Sequence, residues 1–259
     1  MLLCLDVGNS HIFGGVFNLN TDILVRFRLS SKSQTSDEFA VSLCQILKEN
    51  GIDPRVVTKI AISSVVPHLE YSLRSACIKY FAITPFFISD DMKLPIDIQY
   101  VQSRELGADR IANAIAALDL YPKQNLIIID FGTAITLCAI NQKAEYLGGS
   151  IFPGMRLLAD SLARNTAKLP VVDVLEILEP VATTTVTGIQ SGIFFGTLGA
   201  CREMVRMFKQ SKFDGQALKI IATGGFSGIF EKHDLYDVHV PDLILNGIRL
   251  AAKLNAYFP

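Results

Sequence analysis

A short pattern of residues that can hold phosphate occurs twice in this chain of 259 residues. One apolar run ends at Asp6 and continues as Val7-Gly8-Asn9-Ser10, and another ends at Asp130 and continues as Phe131-Gly132-Thr133-Ala134. Backbone N–H groups in a turn after a strand can point at phosphate oxygens, and a carboxylate with bound water can hold Mg²⁺. Each turn alone also suits an ordinary hairpin. The two copies lie about half the chain length apart, which predicts two similar domains with a nucleotide cleft between them.

Three further groups give weaker signals. Thr223-Gly224-Gly225 follows an apolar run, and paired glycines let the backbone approach a nucleotide closely. Gly107-Ala108-Asp109-Arg110 begins a predicted helix, where a carboxylate beside a guanidinium suits a general base and anion binding. The polar residues Thr183–Thr185, with Gln190-Ser191-Gly192, precede and begin a long apolar segment. From the residues alone, a surface ion pair is the better explanation for Asp109 and Arg110. An ordinary turn remains an alternative for Thr223–Gly225, and a helix cap for the polar residues before the long segment.

Composition excludes several other classes of protein. Hydrophobic residues make up 50% and charged residues 19%, which predicts a sizeable core. The net charge of −1 gives no large basic footprint for nucleic acid. The four histidines lack metal-ligand spacing, and the five cysteines, without a Cys-x-x-Cys pair, are expected to be reduced and structural. No apolar run reaches the ~20 residues of a membrane span, so we expect a cytoplasmic protein with no membrane partner.

The predicted elements follow a similar order in the two halves. Each half begins with three strands, at Leu2–Asp6, Ile12–Asn18 and Ile23–Ser30, and again at Leu126–Asp130, Ala134–Asn141 and Ala144–Leu147. Helices alternating with single strands follow in both halves. A capping box at Thr35-Ser36-Asp37-Glu38 and a proline at Pro67 begin two predicted helices, and further helices are predicted from Glu105 to Leu120 and from Gly188 to Lys209. This order predicts an α/β fold in which each domain has a mixed five-stranded sheet covered by helices. The predicted domains cover residues 1–115 and 116–259.

These motifs resemble those of the type III pantothenate kinases, a family in the superfamily of acetate and sugar kinases, Hsp70 and actin. The resemblance covers nearly the whole chain. It rests on six motifs in the same order, namely Asp6–Ser10, Glu105–Arg110, Asp130–Ala134, Gly148–Gly154, Thr166–Pro170 and Gln190–Gly192. Ser10, Ile135 and Thr184 depart from the residues more usual in the family, which are Thr, Thr and Asn.

The resemblance implies an actin-like or ribonuclease H-like duplication. It also implies a cytosolic homodimer that phosphorylates pantothenate with ATP to 4′-phosphopantothenate, the first step of coenzyme A biosynthesis. Phosphoryl transfer would be in line, and part of the pantothenate pocket would lie at the dimer interface. Two alternatives are a kinase or phosphohydrolase for another small hydroxyl compound, and a regulatory or actin-like relative that binds nucleotide without this reaction.

The resemblance further implies roles for particular residues. Asp109 would be the general base, and Asp130 would bind a monovalent cation, K⁺ or NH₄⁺. ATP with Mg²⁺ would be held by Thr133 and by the phosphate loop of Asp6, Val7, Gly8, Asn9, Ser10, His11, Ile12 and Phe13. Pantothenate would contact Tyr100, Gly107, Ala108, Asp109, Arg110 and Thr185.

Overall fold

The computed structural model describes residues 1–89, 91–99 and 105–258, and these form eleven strands and six α-helices. The strands are β1 (Leu2–Val7), β2 (His11–Phe17), β3 (Ile23–Ser30), β4 (Lys59–Ser64), β5 (Phe86–Phe87), β6 (Asp97–Ile98), β7 (Asn125–Phe131), β8 (Ala134–Ile140), β9 (Glu145–Pro153), β10 (Leu218–Thr223) and β11 (Val238–His239). The helices are α1 (Ser36–Glu49), α2 (Pro67–Phe81), α3 (Ala108–Leu120), α4 (Met155–Asn165), α5 (Thr185–Lys212) and α6 (Leu243–Leu254).

The chain divides into two compact units. The first consists of Met1–Asp119 and Asp242–Pro259, and the second of Leu120–Pro241. This division differs from the predicted domains 1–115 and 116–259, because α6 packs against β1 and β4 of the first unit. The last helix therefore returns to the unit in which the chain began.

The first unit contains a five-stranded mixed sheet in the order β3-β2-β1-β4-β5. β2 is antiparallel to β1 and β3, whereas β4 is parallel to β1 and to β5. Parallel strands require a crossover, and α2 supplies it between β4 and β5. The apolar faces of α1 and α2 share one core with these strands, which includes Leu5, Phe39, Leu43, Ile62 and Leu73.

Local sequence signals determine where α1 and α2 begin. Thr35 caps α1 by accepting a hydrogen bond from the Glu38 backbone, and the Glu38 carboxylate accepts one from the Thr35 backbone, which is the predicted capping box. Pro67 occupies the first turn of α2, where its missing N–H costs nothing. Both predictions are confirmed.

Helix α3 is buried on nearly all sides, and α6 crosses it closely. A Cβ on Gly247 of α6 would overlap the carbonyl oxygen of Ala112 in α3, so only glycine fits at this crossing. Small residues therefore bring the two helices together, and this contact holds the start of α3 on the sheet of the first unit.

The second unit repeats the sheet order of the first. Its strands lie in the order β9-β8-β7-β10-β11, with β8 antiparallel to β7 and β9, and β10 parallel to β7 and β11. Each unit is thus a three-strand antiparallel meander extended by two parallel strands. The predicted α/β duplication is confirmed, although the sheet that contains β7 to β11 has six strands where five were predicted.

Several element boundaries differ from the prediction, most of them by one or two residues. β9 runs over Glu145–Pro153, because Gly148, at φ +118°, continues the strand past a bulge, where the prediction ended it at Leu147. α5 starts at Thr185, because Thr184 caps it, not at Gly188. α3 starts at Ala108 and not at Glu105. Among the residues described, no helix is both long enough and apolar enough to span a bilayer.

Candidate active site

The first predicted phosphate turn connects β1 to β2. Val7 pairs with Ile12, and the Gly8 N–H donates to the His11 carbonyl at 3.0 Å, which closes a tight turn. Asn9, Ser10 and His11 are exposed on this turn, whereas Val7 and Ile12 are buried. Of the eight residues predicted to hold phosphate, Asn9, Ser10 and His11 therefore face solvent, and Val7 and Ile12 anchor the two ends of the turn.

The carboxylate of Asp6 is fixed by the neighbouring strand. Asp6 lies opposite Ser63 in the parallel pairing of β1 and β4, and the Ser63 hydroxyl donates to Asp6 Oδ1 at 3.2 Å. Ser63 is fully buried. The contact of Ser63 with Asp6 could not be predicted from the sequence, because it arises only from the register of two strands far apart in the chain.

A second segment supports the same turn from β3. The Ser31 N–H donates to the Ser10 carbonyl at 3.2 Å. The guanidinium of Arg28 lies 4.7 Å from the centre of the Phe13 ring, a cation–π contact across the paired strands. The turn is therefore held at both ends by backbone pairing.

Asp109 and Arg110 lie in the first turn of α3. The Arg110 N–H donates to Asp109 Oδ1 at 2.7 Å. Burial raises the pKa of the Asp109 carboxyl above its ordinary value, and the nearby Arg110 only partly offsets this effect. Arg110 is itself 5% exposed. A surface ion pair, the alternative left open by the sequence, is therefore wrong.

The Gly107–Arg110 motif lies near the end of β1, the strand that leads into the first predicted phosphate turn. A Cβ on Gly107 would lie 3.5 Å from Val65 Cγ1, and the Val65 N–H donates to the Val7 carbonyl at 3.1 Å. Val7 is the last residue of β1, directly after Asp6. The structure thus brings the Gly107–Arg110 motif to the carboxyl ends of β1 and β4, where ligands of open α/β sheets commonly bind.

The second predicted phosphate turn connects β7 to β8 and is shorter than the first. Three residues separate the paired Phe131 and Ile135, against four between Val7 and Ile12. The two sequence motifs align at their aspartates and glycines, but the turns that follow differ by one residue. The repeat in sequence therefore does not give two identical sites.

Two glycines pack directly on this second turn. The Gly154 N–H donates to the Thr133 carbonyl at 3.0 Å, and a Cβ on Gly154 would overlap the carbonyl oxygens of Gly132 and Thr133. Gly224, at φ +90°, lies so close to Asp130 that a Cβ would overlap Oδ1 of its carboxylate. The structure therefore brings Asp130, Thr133, Gly154 and Gly224 together within the second unit.

A chain of hydrogen bonds fixes the position of Gly224. The Ser227 hydroxyl donates to the Gly224 carbonyl at 2.6 Å, and His239 Nε2 lies 2.8 Å from the same hydroxyl oxygen. A carbonyl oxygen can only accept, so the single Ser227 hydroxyl hydrogen is donated to Gly224. The Ser227 oxygen can then only accept from His239, and His239 Nε2 therefore carries a hydrogen and donates it. The sequence predicts a structural role for His239, and no signal in it indicates this contact with the turn.

The polar residues before α5 act mainly as structural contacts. Thr184 caps α5 by accepting from the Thr187 N–H at 3.2 Å, and Thr185 is the exposed first helical residue. Gln190 Nε2 donates to the Asp173 carbonyl at 3.0 Å, and the Ser191 hydroxyl donates to the Pro180 carbonyl at 2.7 Å. The Gln190–Gly192 motif therefore fastens the irregular segment 166–184 to α5.

The predicted site residues are divided between the units. Asp6, Asp109 and Arg110 belong to the first, and Asp130, Thr133 and Thr185 belong to the second. Tyr100 lies outside the described residues. The five cysteines, predicted to be reduced, are all free thiols.

The duplicated sheet, with a glycine turn after the first strand of each copy, defines the actin-like fold of sugar kinases. A solved structure from Sinorhizobium meliloti, described as a candidate 2-dehydro-3-deoxygalactonokinase, matches with a TM-score of 0.58 at 15% identity, over 98% of this chain and 96% of that one. Another, from Campylobacter jejuni and described as a conserved candidate Baf family transcriptional activator, has a TM-score of 0.62 at 21% identity, over 98% of both chains.

Sequence comparison specifies the family within this fold. The sequence model of the type III pantothenate kinases matches residues 2–207. A type III pantothenate kinase of Legionella pneumophila (strain Corby) is 53% identical over 255 residues, which cover 98% of this chain and 99% of the relative. The chain belongs to the type III pantothenate kinase family.

Proposed function

We propose that this chain transfers the γ-phosphoryl group of ATP to the primary hydroxyl of pantothenate. The products are ADP and 4′-phosphopantothenate, and the reaction is the first step of coenzyme A biosynthesis. The observation that carries the proposal is the buried Asp109 carboxylate, in a chain of this family. It belongs to the Gly107–Arg110 motif, whose Gly107 lies next to Val65, and the Val65 N–H donates to the carbonyl of Val7 at the end of β1. We place the reaction in the cytoplasm.

Asp109 acts as the general base. Its carboxylate orients the pantothenate hydroxyl and accepts the proton as the hydroxyl oxygen bonds to the γ-phosphorus and the bond to the β,γ-bridging oxygen breaks. Burial raises the pKa of Asp109 toward the working pH, which makes the carboxylate a stronger base than an exposed aspartate. A positioned base of this kind contributes about 10²–10⁴-fold to the rate.

Pantothenate is held around the first turn of α3. The backbone of Gly107 and Ala108 and the guanidinium of Arg110 contact it, and Tyr100 and Thr185 complete the set. Arg110 is buried next to Asp109, so its position is fixed before substrate binds. A fixed guanidinium loses little entropy when it pairs with the carboxylate of pantothenate.

The nucleotide is held by the turns after β1 and β7. The residues from Asp6 to Phe13 hold the phosphates with backbone N–H groups, and Thr133 gives a second nucleotide contact. Asp6 would hold hydrated Mg²⁺, and Asp130 would hold K⁺ or NH₄⁺. Bound there, these ions would supply positive charge next to the phosphoryl oxygens.

The oxygen donors of the second unit suit a monovalent cation. Asp130 supplies a single carboxylate near the end of β7. One carboxylate matches a single positive charge. Mg²⁺ binds instead through carboxylates with several waters and phosphates.

The protein acts as a homodimer with part of the pantothenate pocket at the interface. Large apolar side chains are exposed on α4 and on the segment 166–184 that Gln190 and Ser191 hold against α5, namely Leu157, Leu162, Val171, Leu175, Leu178 and Val181. Exposed large apolar side chains grouped in one part of a chain are typical of a protein contact. A second copy of the chain covers it.

The dimer is tested by substituting one exposed residue of this face. Leu178→Asp should give a monomer on size exclusion and reduce turnover, because the pocket is then incomplete. Leu19→Asp, at another highly exposed leucine, in the first unit, is the matched control and should leave both unchanged. A Leu178→Asp dimer with full turnover would contradict this assignment.

The identity of the phosphoryl acceptor is tested with a panel of hydroxyl compounds. ADP release is measured with ATP and Mg²⁺ for pantothenate, for small sugars and for water alone, in KCl and in tetramethylammonium chloride. We expect pantothenate to be the preferred acceptor by a wide margin, and K⁺ to be required. Preference for a sugar, or rapid ADP release without any acceptor, would refute the proposal.

A further inference from the structure

Thr223 carries a buried hydroxyl whose hydrogen-bonding capacity is unused. The residue is 1% exposed, and its Oγ1 has no hydrogen-bond partner within residues 1–89, 91–99 and 105–258. Leaving a buried donor and acceptor unpaired costs free energy, so native structures rarely keep one without a ligand, water or ion. A water, an ion or a ligand is therefore the expected partner of this hydroxyl.

The position of Thr223 relates this hydroxyl to Asp130. Thr223 is the last residue of β10 and pairs with Asp130 in the parallel register of β10 and β7. Residues in register on adjacent parallel strands project to the same face of the sheet. Gly224 follows at once and lies against Asp130 Oδ1. Carboxylate and hydroxyl thus share one face at the carboxyl ends of two strands.

The backbone next to Thr223 is held in place before any ligand binds. The Phe226 N–H donates to the Phe131 carbonyl at 3.2 Å, and the Tyr236 hydroxyl donates to the Ser227 carbonyl at 2.9 Å. Together with the hydrogen bonds from His239 to Ser227 and from Ser227 to Gly224, these contacts leave the turn little freedom. The side chains that hold the turn are hydrogen-bonded, whereas the Thr223 hydroxyl bonds to none of the residues that the structure describes.

We propose that the Thr223 hydroxyl is a ligand, with the Asp130 carboxylate, of the monovalent cation. The inference rests on the cation site assigned to Asp130 in the proposed function and adds a second protein oxygen to it. One formal negative charge and one neutral oxygen suit a singly charged ion with a flexible oxygen shell. Oxygen dipoles replace part of the hydration shell of K⁺ in such sites.

The test compares Thr223→Val with Thr223→Ser. Valine has nearly the shape of threonine but lacks the hydroxyl, and serine keeps the hydroxyl. Thermal unfolding is measured without ATP or pantothenate, in increasing KCl against tetramethylammonium chloride at equal ionic strength. A ligand that binds only the folded state raises the unfolding midpoint as its concentration rises.

The two variants should respond in opposite ways. Without K⁺, Thr223→Val should unfold at the wild-type temperature or above it, because it removes an unpaired buried polar group. In KCl it should lose most of the K⁺-dependent rise, with at least a tenfold weaker apparent affinity, while Thr223→Ser keeps the rise. A full K⁺-dependent rise in Thr223→Val overturns the inference. A lower midpoint without K⁺ also overturns it, because that is the result of a purely structural hydroxyl.

Other outcomes separate this inference from the proposed function. If the wild type phosphorylates pantothenate but shows no K⁺-dependent rise, the Thr223 ligand is refuted and the kinase activity stands. If Thr223→Val instead loses a rise produced by ATP alone, the hydroxyl binds nucleotide and the cation assignment is refuted. Loss of the K⁺ rise in Thr223→Val supports the ligand even where pantothenate is not turned over.

Discussion

The backbone of Gly107 fills the space directly beside the carboxylate of Asp109, so that a Cβ at residue 107 would overlap Asp109 Oδ1. The same glycine accepts hydrogen bonds at its carbonyl from the N–H groups of Arg110 and Ile111, both at 3.1 Å, and so begins α3. Residue 107 of the Gly-Ala-Asp-Arg motif is therefore glycine for a steric reason. It lets the proposed base lie against the backbone at the start of its own helix.

Gly107→Ala should impair catalysis without unfolding the protein. The overlapping atom belongs to a side chain that can rotate, so the Asp109 carboxylate moves aside and the backbone stays. A displacement near 1 Å can cost about 10²-fold in rate. We expect kcat to fall by about this factor while the thermal unfolding midpoint changes little.

The control for that variant is Gly199→Ala, because no atom lies within 4 Å of a Cβ there. Alanine at an exposed helical position stabilises by up to about 1 kcal/mol. Gly199→Ala should therefore keep full kcat and unfold slightly later than the wild type. Wild-type kcat in Gly107→Ala would show that the position of the Asp109 carboxylate does not limit the reaction.

The buried Asp109 should make stability depend on pH in a known direction. Its pKa in the native state is raised above the ordinary value of 3.8, so the native state binds a proton more tightly than the unfolded state. Stability due to this group is therefore lost as pH rises from 3.8 through the raised pKa, and the penalty is complete above it. Asparagine carries no such penalty.

Asp109→Asn should accordingly be more stable than the wild type at pH 8, and the difference should shrink as the pH is lowered. Thermal unfolding of both proteins across this range measures the difference. The asparagine oxygen still accepts from the Arg110 N–H, so that hydrogen bond is kept. If Asp109→Asn is less stable at pH 8, or if the difference is constant with pH, burial does not govern the ionisation of Asp109.

Gly154→Ala should behave differently from Gly107→Ala. Its added Cβ would overlap backbone oxygens of Gly132 and Thr133, which cannot rotate away. Overpacking of this kind costs about 1–3 kcal/mol, and relief would shift the turn that carries Thr133. We expect a lower unfolding midpoint in denaturant and a raised KM for ATP. An unchanged KM with lowered stability would remove Thr133 from the nucleotide site.

His239 should carry its hydrogen on Nε2 whenever the ring is neutral. Ser227 uses its single proton on the Gly224 carbonyl, so its oxygen can only accept from His239. Nitrogen-15 NMR of the imidazole distinguishes the two tautomers directly. His239→Gln keeps a donor near the same position and should preserve ATP affinity, whereas Ser227→Ala should weaken it. A neutral ring protonated on Nδ1 would contradict this hydrogen-bond chain.

Much of the fold could be predicted from sequence because its signals are local. The two Asp-x-Gly turns, the capping box at Thr35 and the proline at the start of α2 each act within a few residues. The place of α6 could not be predicted in this way. Its packing on β1 and β4 joins the end of the chain to its beginning, and an amphipathic helix does not indicate which sheet it covers.

The candidate site was predictable only in part, for the same reason. Asp109 and Arg110 look like surface residues in sequence, and their burial results from the packing of α3. Ser63 and His239 gave no signal in the sequence, and Thr223 stood out only as part of a glycine turn. Strand register brings Ser63 to Asp6 and Thr223 to Asp130, and a hydrogen bond brings His239 to Ser227. The family resemblance gave the roles, and strand pairing shows which neighbours support them.

The most direct test of the account follows product formation from pantothenate. The protein is incubated with ATP, Mg²⁺, K⁺ and pantothenate, and 4′-phosphopantothenate and ADP are quantified by mass spectrometry. We predict that the two form in equal amounts, and that Asp109→Asn slows their formation by about 10²–10⁴-fold while ATP affinity is retained. Absence of 4′-phosphopantothenate with the wild type, or undiminished turnover in Asp109→Asn, would contradict the account.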